Sequence, residues 1–130
     1  MKTNVFKITL IIFTLLTAAS FNSYKTEQIV EYELEGQRFE LLVADGESEW
    51  EKGLMSIRQL KNADGMMFVF PDKKQRVFWN KNTFVDLDVY WILDDEIVGR
   101  DFLPSIEESD GFVYVSSPAP VNKVVEIVIN

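Results

Sequence analysis

The chain has 130 residues, 21 acidic against 13 basic, a net charge of −8 and no cysteine or histidine; this length serves one core but not two independent ones. The missing residue types exclude disulfides, the Ser-His-Asp and Cys-His mechanisms, and the usual thiolate and imidazole ligands of zinc, copper and non-haem iron, leaving open a hard cation held by oxygen. The acidic balance disfavours nucleic acid and anionic lipid, whose phosphates it repels.

The first residues read as a secretory signal. Lys2 and Lys7 supply positive charge, Ile8 to Leu16 is apolar apart from two threonines, and Ala18, Ala19 and Ser20 are small. Cleavage is expected between Ala19 and Asn22, leaving residues 23–130 as a single exported domain in the periplasm or outside the cell; the alternative is an uncleaved anchor. The apolar run is shorter than the roughly 20 residues that span a bilayer, so no stable membrane insertion is expected after cleavage. Without a cysteine there is no thiol to acylate. Losing the signal leaves 11 basic residues against 21 acidic, a net charge of −10.

After a polar tether, Phe21 to Gln28, the runs Ile29 to Glu35 and Arg38 to Ala44 flank Gly36-Gln37 and read as a hairpin. Ser48 stands three residues before Glu51, the spacing of a capping box, and predicts a short helix from Glu49 to about Met55. Gly53 within it implies close packing against a strand or an early end. Met66 to Phe70 is a buried-strand block stopped by Pro71-Asp72, and Lys73 to Arg76 reads as a solvated loop. Val77 to Trp79 restarts apolar structure. Val85, Leu87, Val89, Trp91 and Leu93 alternate onto one core face. Asp94-Asp95 turns the chain into Glu96 to Leu103, Asp110-Gly111 turns it into Phe112 to Ser116, and Lys123 to Ile129 is a last strand. The fold class is α+β, mainly β, with largely antiparallel strands in a closed or half-closed barrel-like sheet and one or two short helices.

The densest polar segment is Trp79 to Asp88. On a strand, Asp86, Asp88 and Tyr90 share the face opposite the apolar set, with Lys81, Asn82 and Thr83 at its entrance. A two-residue Asp94-Asp95 hairpin pairs Ile92 with Ile97, Tyr90 with Gly99 and Asp88 with Asp101, which calls for a basic partner such as Lys81 or Arg100. These acids serve equally as a solvated strand face, with Asn82-Thr83 capping a turn. The alternative function is a carboxylate-dependent hydrolase of cell-envelope carbohydrate, using Asp88 with Asp101 or Asp86. A third is a structural partner-binding domain.

Lys52-Gly53-Leu54-Met55, Gly65 to Pro71, Phe78-Trp79 with Lys81-Asn82-Thr83, then Leu87-Asp88 and Ile97-Val98 resemble the domain of unknown function 192 family, also called uncharacterised protein family 0127, over Phe39 to Ile129. The resemblance implies a small, predominantly β domain with a short helix or two, often exported in bacteria, and no established activity. It marks Lys81, Asn82, Thr83 and Asp88 as the recognisable polar positions. The chain departs from the family pattern at Trp50, Asn80, Asp86 and the Asp94-Asp95 turn.

The function expected is therefore a non-enzymatic accessory or small-ligand-binding domain. Its ligand-binding residues are Trp79, Lys81, Asn82, Thr83 and Asp88, and its ligand is small and polar, sugar-like being the class an adjacent aromatic suits. No residue is assigned to catalysis or to a metal, and no cofactor is implied.

Overall fold

The computed structural model describes residues 27–129. The signal segment, its cleavage region and most of the tether lie outside the described residues. In chain order the elements are β1 (Ile29–Leu34), β2 (Gln37–Ala44), α1 (Glu47–Lys52), β3 (Gly65–Lys74), β4 (Val77–Trp79), β5 (Asp86–Leu93), β6 (Glu96–Leu103), a 3-10 turn (Ile106–Glu108), β7 (Tyr114–Ser116) and β8 (Val121–Ile129). Six strands form one sheet in the order β1-β2-β3-β8-β5-β6, and β4 and β7 form a separate ribbon. Every pair is antiparallel except β2 with β3.

The hairpins arise where two consecutive residues accept left-handed backbone. Glu35 and Gly36 take φ of 52° and 81°, Asp94 and Asp95 take 47° and 66°, and such paired turns carry the twist of the strands they join. The first turn therefore lies one residue earlier than Gly36-Gln37.

The helix also starts earlier than the spacing of Ser48 and Glu51 predicts. Gly46 precedes it in extended backbone with no side-chain cap, and the Glu49 carboxylate accepts the Asp45 amide at 2.8 Å. Gly53 ends it at φ 47°, donating its amide to the Glu49 carbonyl at 2.8 Å. A Cβ there would lie 3.2 Å from the Phe68 ring, so early ending and close packing both apply.

Pro71 does not stop β3. The register against β8 shifts between Val69 and Lys74, so no regular ladder bond is asked of the missing proline N–H. Nor is the Lys73 to Arg76 stretch a simple solvated loop. Lys73 and Lys74 finish the strand, and Arg76 lies 3.8 Å above the Phe70 ring while bonding Asp72.

Both faces of the sheet are covered. One packs Phe68, Leu87, Val89, Trp91 and Val124 beneath α1 and the β4–β7 ribbon, which contribute Trp50 and Phe78. The other packs Leu34, Leu41, Met67, Tyr90, Ile92 and Val125 together. The sheet curls without closing: Arg100 on the last strand in sheet order lies 3.9 Å from Glu35 in the turn beside the first. The architecture is mainly β with a half-closed sheet.

The β5–β6 hairpin departs from the predicted register in one step. Ile92 pairs with Ile97 as expected, but Trp91 then faces Gly99, leaving Val98 as an extra residue on β6. This bulge carries Arg100 opposite Tyr90, Asp101 opposite Val89 and Phe102 opposite Asp88. Asp88 and Asp101 consequently point to opposite faces. Gly99 suits the bulge because a Cβ there would meet the Pro118 ring at 2.9 Å and the Trp91 indole at 3.3 Å.

Candidate functional site

The strand β8 runs through the middle of the sheet, and Glu126 is the one acid in its apolar core segment Val124 to Val128. Its cross-strand neighbours are Met66 on β3 and Val89 on β5, so its side chain rises on the face covered by α1 and the ribbon. It is 4 % exposed. Burial alone pushes the carboxyl up to about 8, with no hydrogen bond or charge acting against it.

Among the described residues every fully sealed side-chain nitrogen or oxygen has a partner. The Glu126 oxygens have none, so each keeps a small exposure, and the residue lines a cavity of about 40 Å³. Trp50, Leu54, Phe68, Phe78, Trp79 and Thr83 line this cavity, with Glu51 and Lys52 as its other charged lining residues. Trp50, Glu51, Phe78 and Trp79 also line an open trough of about 540 Å³ that borders the cavity.

Local packing fixes the walls. The Trp50 Nε1 donates to the carbonyls of Ala44 and Val69 at 3.0 and 3.2 Å. Phe78 makes an edge contact with Phe68 at a centroid distance of 5.0 Å. Trp79 extends the aromatic surface outward, 5.4 Å from Phe112 and 5.7 Å from Tyr114. These last two rings are 54 % and 57 % exposed. A larger cleft of about 280 Å³ lies on the other side of α1, but the buried residue lining it is the apolar Leu42.

Two of the expected site residues meet at this cavity and the others do not. Trp79 forms part of its wall, and Thr83 is buried beside it, its hydroxyl donating to the Lys81 carbonyl at 3.1 Å. Lys81 sits outside, its ammonium 5.0 Å from the Trp79 ring centroid. Asn82 holds the turn at φ 50° and lends its carbonyl to the Ser56 amide.

Asp88 lies on the opposite sheet face, in an ion pair with Arg100, whose guanidinium that contact pushes further up. Asp86 accepts the Ser105 amide at 2.8 Å, and Asp101 accepts the buried Trp91 Nε1 at 2.7 Å. The three acids of the hydrolase alternative are thus dispersed, each in its own structural contact. Tyr90, expected on a polar line with Asp86 and Asp88, is buried instead in the second apolar cluster.

Asn80 belongs to the framework beneath the site. Wholly buried, it donates to the Pro104 carbonyl and the Ser109 hydroxyl at 3.0 and 2.9 Å, and it accepts the Val113 amide at 2.8 Å. It thereby ties the end of β4 to the loop that carries Phe112 and leads into β7. Among the described residues, no group of three or more acidic side chains converges as a metal site.

The model of the domain of unknown function 192 family, described as "Uncharacterized ACR", matches residues 29–129. The chain belongs to this family. Its fold is shared with a solved protein from Sinorhizobium meliloti 1021, named provisionally as a transcription regulator. That protein is 30 % identical with a TM-score of 0.60, over 78 % of this chain and 79 % of that one. A protein of unknown function from Novosphingobium aromaticivorans DSM 12444 has the same fold, at 18 % identity and a TM-score of 0.57, over 80 % of this chain and 83 % of that one. No curated protein matches the chain.

Glu126 escapes a search for polar clusters because it stands alone. The available signal is a lone acid inside Val124-Val125-Glu126-Ile127-Val128. A charge interrupting a strand apolar on both faces is a candidate buried acid.

Proposed function

We propose that this member of the family is an exported, non-enzymatic domain that binds a small polar ligand in the cavity between α1, β4 and β8. One observation carries the proposal: a buried carboxyl group without a hydrogen-bond partner lines an aromatic-walled pocket. Pockets of this kind gain affinity from the walls and orientation from a few convergent polar groups. Glu126 is that group, Thr83 lines the same cavity, and the Phe112 and Tyr114 rings continue the aromatic surface outward from Trp79. Lys81 braces Trp79 from outside, while Asn82 holds the turn that carries Thr83. Asp88 stabilises the far face of the sheet through Arg100.

Thermal unfolding of residues 23–130 with a panel of sugars, polyols, amino acids and amines tests this. A ligand at a hundred times its Kd stabilises the native state by about 2.7 kcal/mol, a shift of several degrees. The shift should disappear in Trp79→Ala. If nothing in the panel moves the parent, or Trp79→Ala responds equally, the pocket is not the binding site.

Export is supported by Lys2, Lys7 and the apolar run that follows them. Mass spectrometry of the protein released from the producing cell should find a chain beginning between residues 20 and 23. An intact first residue on that chain would refute cleavage.

A further inference from the structure

We infer that the ligand is a primary alkylamine whose ammonium group enters the cavity and pairs with Glu126. The inference rests on the binding proposal and narrows it to one chemical class. At about 40 Å³ the cavity holds a group no larger than one or two water molecules, which fits an ammonium at the end of an aliphatic stem and excludes a sugar ring. Trp50, Phe68, Phe78 and Trp79 supply its walls, and aromatic faces attract cations, most strongly where water is excluded. The lining offers a carboxyl with no partner, which needs a proton or a cation to be stable when buried. The overall negative charge raises the local concentration of cations and repels competing anions.

The charged groups that face Glu126 across the cavity are Glu51 and Lys52, both on α1; the facing residues of β3, β4 and the Thr83 loop carry no charge. Without ligand, Glu126 keeps its proton at neutral pH because burial holds its carboxyl at about 8. An entering ammonium favours the carboxylate. The carboxyl O–H bond breaks, the proton passes to buffer, and the ammonium donates hydrogen bonds to the two oxygens.

Titration calorimetry of residues 23–130 with n-butylammonium, in two buffers of different ionisation enthalpy, reads both binding and proton release. Close to one proton should leave per amine bound at pH 7, and affinity should rise about tenfold per unit from pH 6 to 7. Glu126→Gln should weaken binding at least tenfold and abolish the release. Should that variant fold poorly, a carbon-13 titration of the parent replaces it: saturating amine should lower the Glu126 midpoint by more than about two units.

Equal binding to Glu126→Gln, absence of proton release, or an unmoved midpoint would overturn the amine assignment. n-Butanol and methyl glucoside serve as neutral probes. If either of them binds with dependence on Trp79 while the amine does not, the ligand is neutral and the binding proposal alone survives. If none of the three binds, both fall.

Discussion

Glu126→Gln is expected to stabilise the protein by about 3 kcal/mol at pH 8.5 and by less than about 1 kcal/mol at pH 4.5. In the unfolded chain this carboxyl ionises around 4.5, whereas the native state retains its proton up to about 8. Between those values the native state binds more protons than the unfolded state, so stability is full below the lower value and falls as the pH rises through the window. Above about 8 the loss is complete. A shift of this size corresponds to roughly 5 kcal/mol at most; water reaching the cavity reduces the penalty. Glutamine keeps the shape and a hydrogen-bonding group without a charge to desolvate. Urea unfolding of parent and variant at pH 4.5, 6 and 8.5 checks this, because trends from other acids cancel in the difference. Parallel stability curves would show that Glu126 ionises freely in the folded protein.

Gly65→Ala is expected to cost roughly 3 to 4 kcal/mol, at or beyond the upper end of what overpacking usually costs. Gly65 begins β3 opposite Ile127, and a Cβ at this position would stand 1.9 Å from the Glu126 carbonyl oxygen. That atom belongs to the backbone of the central strand, so β3 and β8 would have to separate, opening the sheet beside the candidate site. Gly36→Ala is the matched control. Nothing lies within 4 Å of its added methyl, and only its φ of 81° opposes the change, which should cost about 1 kcal/mol. Comparable midpoints of denaturation for the two variants would mean that the strands part easily and that the close approach is not needed.

The parts of the fold read correctly from sequence are those set by neighbours along the chain. Alternation along β5 placed Leu87, Val89 and Trp91 in the core, and Asp94-Asp95 formed the turn expected of it. Failures came where distant packing decides. The Val98 bulge has no local mark beyond the glycine that follows it; it is coupled to Trp91 and Pro118, which crowd Gly99. Asp88 and Thr83 sit close in sequence and look like one site, yet the strand's alternation and the bulge place Asp88 on the other face with Arg100. Tyr90 read as polar surface because the curling that buries its face depends on β1 and β2, some fifty residues away. Trp79 and Thr83 line one cavity, and the aromatic and hydroxyl groups flanking a turn mark both in the sequence. Glu126 acquires its character only when α1 and the ribbon cover the middle of β8.

Among the described residues, the half-closed sheet has β1 and β6 as its border strands. A strand border with free amides and carbonyls is a template on which another chain can add by hydrogen bonding. On β6 the Val98 bulge breaks the even spacing that an added strand would have to match. On β1, Glu31 and Glu33 alternate along the exposed side, where a second copy would bring like charges together. The irregularity that separates Asp88 from Asp101 thus also makes β6 a poor template for an added strand.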